Sequence, residues 1–251
     1  AVVCGAGLPK DLPGIAAQVP ESDAAIAPIV SSGRAAGLLC KLWDRHYGRI
    51  PDFLILEGPE AGGHLGFSRQ DLDAPPSLSD LLREVLTTIA PFRDKAGRDI
   101  PVFVAGGVKN GADMARYMKE GAAGAQFATR FIATAECDAS DGYKQRLLNA
   151  SPGDITLVKS PVGMPGRALR SPLIRRVEDG TQPPPDRCMK CITTCDGKNA
   201  PYCISRALIA ARNGDWENGL FFCGANAGEI NTLSTVQQQM AQIMDEWRNA
   251  Q

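Results

Sequence analysis

The strongest constraint on the fold is a series of short apolar runs, each followed by a helical pattern. The apolar runs occupy residues 1–4, 24–30, 53–56, 102–105 and 122–127. Helices are predicted between them at residues 34–46, 77–88 and 110–120. Because the runs are apolar throughout rather than alternating, both faces of each strand are predicted to be buried, as in a parallel sheet covered by helices. The sequence therefore predicts an α/β fold.

The pattern leaves two arrangements open, a TIM-type (β/α)8 barrel and an open doubly wound sheet. Nearly every predicted strand ends in a glycine, a serine or another polar residue, which favours the barrel because barrel active sites are built from the loops after the strands. Eight βα units take about 200–250 residues, whereas only residues 1–170 carry the pattern and only five such strands are found. The chain is therefore expected to be a fragment, to take strands from another chain, or to form an open sheet.

Composition divides the chain into two predicted parts. Residues 1–170 are predicted to form a partial (β/α) barrel. Residues 171–251 contain a proline cluster at 183–185, a cysteine cluster and a final helix at 234–249. This second part is predicted to be a helical extension packed on the barrel.

Charge and hydropathy exclude several classes of function. The chain has 27 Lys+Arg and 28 Asp+Glu, a formal net charge of −1, so no whole-chain attraction to nucleic acid or to an acidic membrane surface is expected. No run of about 18 apolar residues is present, which argues against a membrane-spanning helix. The first residues show no secretion signal, so a cytoplasmic location is predicted.

The glycine-rich stretch at residues 57–66 follows a predicted buried strand and contains four glycines and His64. Glycine lets a backbone approach a ligand closely, and histidine is well suited to move a proton near neutral pH. This pattern predicts a catalytic loop. The alternative is a turn whose histidine is solvated or bonds a backbone carbonyl.

Two further loops follow predicted strands and are candidate anion sites. Residues 105–108 place small residues at the start of a helix, where backbone N–H groups bind anions. Residues 126–131 follow the next strand, and barrels often hold phosphate between the loops after their last two strands. Lys159 and Ser160 are candidates for lining the mouth of this site. Arg167 can pair with an anion or with Asp or Glu on the surface, and the surface pairing is preferred.

Four cysteines at short spacings form the other candidate site, Cys188-x2-Cys191-x3-Cys195-x7-Cys203. Four thiolates at such spacings can bind a tetrahedral Zn²⁺ ion or an iron–sulfur cluster. The alternatives are reduced thiols and a redox-labile patch.

Several of these stretches together resemble the nitronate monooxygenase family, whose close relatives include flavin-dependent enoyl-acyl-carrier-protein reductases. The resemblance rests on residues 57–66, 105–107, 126–131, 159–167, 201–204 and 218–224. It implies an FMN-binding (β/α)8 barrel and covers most of the chain.

The resemblance also implies residue roles. His64 matches the active-site histidine that removes the α-proton of a nitroalkane, after which the flavin takes one electron from the nitronate and O2 completes the oxidation. The implied FMN contacts fall into phosphate loops and a flavin-lining segment, and they comprise Gly106, Gly107, Gln126, Ala128, Thr129, Glu57, Gly62 and Gly63.

The chain departs from the family pattern at two places. Ala128 stands where the family usually has glycine, which puts a methyl group into a tight loop. Residues 1–7 match the fourth barrel strand, so the first three strands are expected to come from another chain or from a longer form of this one. A homo-oligomer is the alternative source.

Three functions remain open at this point. The first is an FMN-dependent oxidoreductase that oxidises alkyl nitronates or nitroalkanes with O2. The second is an NAD(P)H-dependent flavin reductase acting on enoyl thioesters or quinones. The third is a non-catalytic subunit or fragment stabilised by a metal at Cys188–Cys203 and by a partner chain.

Overall fold

The computed structural model describes residues 1–5, 7–19, 21–193 and 195–251. Ala6, in the stretch of residues 1–7 that matches the fourth barrel strand, lies outside the described residues. The strands are β1 (Val2–Cys4), β2 (Ile26–Val30), β3 (Leu54–Glu57), β4 (Gly63–His64), β5 (Val102–Ala105), β6 (Gly124–Ala125), β7 (Ile155–Lys159) and β8 (Pro165–Leu169). The helices are α1 (Leu12–Ala16), α2 (Gly33–Tyr47), α3 (Arg69–Asp73), α4 (Leu78–Ala96), α5 (Gly111–Lys119), α6 (Thr129–Ile132), α7 (Asp141–Leu148), α8 (Pro172–Glu178), α9 (Ile204–Arg212) and α10 (Val236–Asn249).

The chain folds into two compact units. The first unit comprises Ala1–Pro59, Gln70–Phe127 and Ile243–Gln251, and the second comprises Glu60–Arg69 and Ala128–Gln242. These bounds do not coincide with the division at residue 170 that composition predicts.

The first unit is built on a parallel sheet of five strands in the order β1-β2-β3-β5-β6. The predicted parallel α/β arrangement is therefore confirmed. Each strand lies beside the next one in the chain, without the reversal of order that defines a doubly wound sheet. The doubly wound alternative is thus wrong for this sheet.

Apolar side chains on both faces of these strands form the core of the first unit, as the unbroken apolar runs predict. Helices α2 and α4 pack against each other with little space between them. A Cβ atom at Gly37 would lie 2.7 Å from the Cγ2 atom of Thr88, so the glycine allows this close approach. Ser32 and Ser77 cap the two helices by accepting backbone N–H bonds from Ala35 and Asp80.

The second unit contains an antiparallel sheet that the sequence analysis did not predict. Its strand order is β4-β8-β7, with β7 and β8 joined as a hairpin. Two apolar clusters support it, one around Tyr202 and Leu220, the other around Leu147 and Phe221. Among the described residues, no helix is both long and apolar enough to cross a membrane.

Candidate active site

His64 lies on the short strand β4, at the edge of the antiparallel sheet. Gly63 pairs with Arg167 and His64 pairs with Gly166 of β8. Leu65 continues this contact by donating its N–H to the carbonyl of Pro165 at 2.9 Å. The glycine-rich loop is therefore fixed to β8 at the position of the histidine.

The imidazole of His64 has a specific polar partner. Its Nε2 atom lies 2.7 Å from the Oγ atom of Ser160, a residue that is only 4% exposed. Ser160 also accepts the N–H of Val162 at 3.4 Å, which orients its hydroxyl group. Ser160 follows β7 directly, so the β7–β8 hairpin supplies this partner. The sequence analysis named Ser160 only as a residue that could line the mouth of the site, and the structure places its hydroxyl beside the histidine.

The surroundings of His64 favour the neutral ring. The ring of Phe222 lies edge-on to the imidazole, with 5.1 Å between the ring centres. Burial lowers the pKa of His64 below its usual value of 6.5. The imidazole is therefore uncharged at neutral pH and has a lone pair that can accept a proton.

Gly62 and Gly63 have different structural reasons to be glycine. A Cβ atom at Gly62 would lie 2.5 Å from the backbone N of Gly224 and would clash with the backbone of Cys223. Gly62 thus allows close packing against the protein's own chain, whereas the sequence analysis expected a close approach to a ligand. Gly63 has a φ of 76°, in the left-handed region that favours glycine.

Arg167 is a half-buried component of this site, so the preferred placement on the surface is wrong. Its Nη1 atom donates to the carbonyl of Ala61 at 2.7 Å, which ties β8 to the glycine-rich loop. Burial lowers the pKa of the guanidinium, and the charges of Glu60 and Cys223 oppose that shift.

Ala128 and Thr129 lie in the same unit as the histidine. Ala128 precedes the four-residue helix α6, and Thr129 begins it. The Thr129 hydroxyl accepts the N–H of Gly224 at 2.9 Å. Thr129 therefore holds the segment that carries Phe222.

The other four predicted cofactor residues, Glu57, Gly106, Gly107 and Gln126, lie in the first unit. Glu57 ends β3, Gly106 and Gly107 follow β5, and Gln126 follows β6. Because carboxyl ends of adjacent parallel strands meet at one edge of a sheet, these residues share that edge. Gly106 and Gly107 have φ values of 65° and 136°, so this turn requires glycine at both positions.

Side chains of the first unit bind the backbone amides at the start of helix α5, just after the predicted anion site at residues 105–108. Asn110 caps the helix by accepting the N–H of Asp113. The carboxylate of Asp113 accepts the N–H of Lys109, and that of Glu246 accepts the N–H of Gly111. Two carboxylates at these amides would repel a phosphate dianion. The Gly106–Gly107 turn precedes these amides, and its contact with a phosphate stays a prediction.

The expected metal site receives no support. Among the residues that the structure describes, no three His, Cys, Asp or Glu side chains are grouped so that they could hold a metal ion. The sulfur of Cys188 packs against Gly197, whereas the sulfur of Cys191 contacts Ser205 Oγ at 3.3 Å. Two of the four sulfur atoms thus contact different parts of the chain.

Sequence reasoning missed two components of the site, namely Phe222 and the Tyr143 hydroxyl that donates to the Phe222 carbonyl at 2.6 Å. These residues come from segments far apart in the chain, and a phenylalanine or tyrosine in an apolar stretch has no distinguishing pattern. Gly62 was the one sequence feature that pointed to Phe222, because this glycine allows close packing against the backbone of residues 223–224, next to Phe222.

Comparison with known proteins identifies relatives of the chain. The sequence profile of a family described as nitronate monooxygenase matches residues 1–246. A dehydrogenase of Mycobacterium tuberculosis that acts on (3aS,4S,5R,7aS)-5-hydroxy-7a-methyl-1-oxo-octahydro-1H-indene-4-carboxyl-CoA is 31% identical over 166 residues. The match covers 66% of this chain and 41% of that relative, so the chain spans less than half of the relative's length.

Two solved structures resemble this one. FabK from Thermotoga maritima superposes with a TM-score of 0.73 at 27% identity, covering 99% of this chain and 68% of FabK. A nitroalkane oxidase from Streptomyces ansochromogenes superposes with a TM-score of 0.71 at 22% identity, covering 95% of this chain and 61% of the oxidase. The second likeness shows a shared fold alone.

Proposed function

The chain belongs to the nitronate monooxygenase family, and on that premise we propose that it is a flavin-dependent oxidoreductase that oxidises nitroalkanes or alkyl nitronates with O2. The observation that carries this proposal is the half-buried, neutral His64 held by Ser160 on a glycine-rich loop. Such a group is a base suited to removing a weakly acidic C–H proton.

His64 acts in this proposal as the base that takes the α-proton of a neutral nitroalkane. The C–H bond breaks, the proton moves to an imidazole nitrogen, and the electron pair is delocalised into the nitro group to give the nitronate anion. A protonated ring beside Phe222 is poorly solvated, so its proton is readily lost again.

The proposal places the hydrogen of the neutral His64 ring on Nε2, beside Ser160. In the tautomer with hydrogen on Nε2, that N–H donates to Ser160 Oγ across the 2.7 Å contact. The lone pair is then on Nδ1, and this nitrogen is the base. The same bond stabilises the imidazolium ring that forms when Nδ1 is protonated.

Eight residues are proposed to contact FMN. In the first unit, the Gly106–Gly107 turn and Gln126 would form one phosphate loop. In the second unit, Ala128 and Thr129 would form another. Glu57, Gly62 and Gly63 would line the flavin, with Gly62 acting by keeping the loop packed on Cys223 and Gly224. FMN, when bound, supplies the electron acceptor that oxidation of a nitronate requires.

The test separates proton removal from oxidation. His64→Asn is expected to abolish oxidation of neutral nitroethane while oxidation of pre-formed ethylnitronate continues, because the nitronate has already lost its proton. Oxygen consumption with each substrate measures the two activities.

A matched control for this test is His46, the other histidine of the chain, which lies on helix α2. His46→Asn is expected to leave both activities unchanged. Unchanged activity of His64→Asn on the neutral nitroalkane would show that His64 is not the base.

A second candidate is an NAD(P)H-dependent flavin reductase or dehydrogenase of thioester substrates. It is favoured by the 31% identity to a dehydrogenase of a CoA thioester. Anaerobic addition of NADH or NADPH distinguishes the two candidates. Rapid bleaching of the flavin absorbance supports the reductase, whereas a flavin bleached by nitronate alone supports the monooxygenase.

A further inference from the structure

We propose that the hydroxyl groups of Tyr143 and Tyr202 are positioning groups, which hold the two side-chain partners of His64 in place. The partners are Ser160, whose hydroxyl lies 2.7 Å from Nε2 of the ring, and Phe222, whose ring lies edge-on to the imidazole. Each tyrosine acts through one of these partners. The inference deepens the proposed function, and the activity expected of the two tyrosines rests on His64 as the base.

Tyr143 holds Phe222. Its hydroxyl donates to the Phe222 carbonyl at 2.6 Å. On the other side of the same peptide group, the N–H of Cys223 donates to the Arg167 carbonyl at 3.3 Å. A peptide group is planar, and this one includes the Cα atom from which the Phe222 ring projects. The two hydrogen bonds therefore fix the point from which the ring reaches His64.

Tyr202 holds Ser160. Its hydroxyl donates to the Lys159 carbonyl at 3.1 Å. This carbonyl belongs to the planar peptide group that contains the nitrogen and Cα atoms of Ser160. The carbonyl of Ser160 accepts the N–H of Gly163 at 3.2 Å in the turn that follows β7. The Tyr202 bond therefore fixes the start of this turn, where the Ser160 hydroxyl meets His64.

The surroundings of both tyrosines keep their hydroxyl groups as donors. Tyr202 is 3% exposed and belongs to the apolar cluster that contains Leu220. The Tyr143 ring lies edge-on to that of Phe221, with 4.9 Å between the ring centres. Burial raises the pKa of both hydroxyls, so both stay protonated at neutral pH. Phenylalanine at either position keeps the ring packing and removes only the donor.

The two substitutions are expected to move the His64 pKa in opposite directions. Tyr143→Phe releases Phe222, so water reaches the imidazole, solvates its charged form and raises the pKa toward 6.5. Tyr202→Phe releases Ser160 and lowers the pKa, because the bond from Nε2 is stronger when the ring is charged. A general loosening of the second unit would only admit water, and would raise the pKa in both variants.

The charged neighbours of His64 are the same in all these variants. Burial is the cause of the lowered pKa of His64. The segments packed around it carry Glu60, Lys159, Arg167 and the Cys223 thiol. Both substitutions keep these four groups, so a shift of the His64 pKa reports a change in the position of its two partners.

The experiment follows the imidazole ring protons of the purified full chain by NMR as the pH is varied. His64→Asn identifies the His64 signal, because the chain has two histidines. The expected result is a higher His64 pKa in Tyr143→Phe and a lower one in Tyr202→Phe than in the unchanged chain. An unchanged pKa in either variant, or a rise in both, would overturn the proposal.

Double variants test whether each tyrosine acts through its partner. Phe222→Leu is expected to raise the His64 pKa, and adding Tyr143→Phe should raise it no further, because the ring that Tyr143 holds is gone. Ser160→Ala is expected to lower the pKa, and adding Tyr202→Phe should lower it no further. Additive shifts in the double variants would show that the tyrosines act by another route and would overturn the proposal.

Thr134→Val is the matched control. Thr134 is 1% exposed, and its hydroxyl donates to the Phe131 carbonyl at 2.7 Å in the same unit. The substitution removes a buried bond of the same kind, and the His64 pKa is expected to stay unchanged. A shift as large as those of the tyrosine variants would overturn the proposal, because any lost hydroxyl bond in this unit would then move the pKa.

Oxygen consumption tests the proposed function separately. Tyr202→Phe is expected to lower kcat/KM for a neutral nitroalkane by about 2- to 10-fold, the effect of one weakened hydrogen bond, and to retain activity on pre-formed nitronate. If the two pKa shifts are found but the unchanged chain does not oxidise nitroalkanes, the positioning role is supported and the proposed function fails.

Discussion

At the scale of single residues, the hydrogen bond between His64 and Ser160 makes the most specific prediction. Ser160→Ala removes the partner that stabilises the protonated ring. A hydrogen bond to a charged group contributes about 1.5–3 kcal/mol, so kcat/KM for a neutral nitroalkane is expected to fall by about 10- to 100-fold. Steady-state oxygen consumption measures this loss, and activity on pre-formed nitronate should be retained.

Ser171→Ala is the control for a loss of stability alone. Ser171 is fully buried and donates from its hydroxyl to the Gly219 carbonyl at 2.8 Å, but it does not contact His64. If Ser171→Ala and Ser160→Ala reduce the nitroalkane activity equally, Ser160 supports only the fold of the second unit.

The pH dependence follows from the lowered pKa of His64. The base is active when uncharged, so kcat/KM for a neutral nitroalkane should rise with pH and level off once the ring is deprotonated. Because burial lowers the pKa, the midpoint is expected below the usual histidine value of 6.5. A midpoint above 6.5 in the pH profile of kcat/KM would contradict this environment for the base.

The two glycines beside the histidine give a stability prediction. Gly63→Ala forces a Cβ atom into the left-handed region, which costs about 1–2 kcal/mol, although the nearest atom to that Cβ is 4.0 Å away. At Gly62 the new methyl group would instead clash with the backbone of Cys223 and Gly224, so Gly62→Ala is expected to give the larger fall in the urea midpoint. Equal urea midpoints for Gly62→Ala and Gly63→Ala would mean that residues 223–224 shift easily to make room for the methyl group at position 62.

These residues also show how far a sequence can predict a site. His64 was found because four glycines surround it in a loop after a strand. The structural role of Gly62 was not predicted, because the backbone that a side chain at this position would clash with lies about 160 residues further along the chain. No local sequence pattern indicates such a contact. Arg167 was misplaced for the same reason, since its acceptor, the Ala61 carbonyl, is remote in sequence.

At the scale of elements, predictions succeeded where hydrophobic periodicity is long and regular. Strand β5 and helix α2 lie within one residue of their predicted bounds. Helix α4 extends to Ala96, past both its predicted end at residue 88 and Pro91. The β7–β8 hairpin was missed because its residues neither alternate nor form an unbroken apolar run.

Pro91 gives a prediction for helix α4. An exposed proline inside a helix lacks the N–H that would donate to the carbonyl four residues earlier. Pro91→Ala restores this bond, which outweighs the greater freedom of the unfolded chain. We expect the free energy of unfolding to rise by about 1–2 kcal/mol, measured by urea denaturation.

Pro172 is the matched control, because it stands at the first position of helix α8, where no intrahelical N–H bond is lost. Pro172→Ala should therefore give no gain. An unchanged unfolding free energy in Pro91→Ala would indicate that the helix is already distorted enough at that point to gain nothing from a restored donor.

At the scale of the whole molecule, the parallel sheet was predictable and the second unit was not. Five apolar runs with glycine or polar ends predict parallel pairing between neighbouring βα units, which are close in sequence. The antiparallel sheet instead joins β4 to β8 across about 100 residues. Such pairing depends on which segments meet in the folded chain. The change in composition near residue 170 therefore gives no information about the pairing of β4 with β8.

The unpaired edge of strand β1 gives the last prediction. Within the described residues, β1 pairs on one side with β2 and with no strand on the other, and its Val2 and Val3 are 47% and 43% exposed. A strand edge with apolar side chains is a template for pairing with another chain. We therefore expect this chain to self-associate as its concentration rises, measured by sedimentation velocity.

A charge on the edge should weaken that association, because lysine at an edge strand opposes pairing. Val3→Lys is expected to sediment as a smaller species than the unchanged chain at the same concentration. Ile15→Lys adds the same charge at an apolar residue that is 58% exposed on helix α1, and it should leave association unchanged. If Val3→Lys and Ile15→Lys reduce association equally, general charge repulsion explains the effect. If the unchanged chain stays monomeric at every concentration, the β1 edge does not pair with another chain.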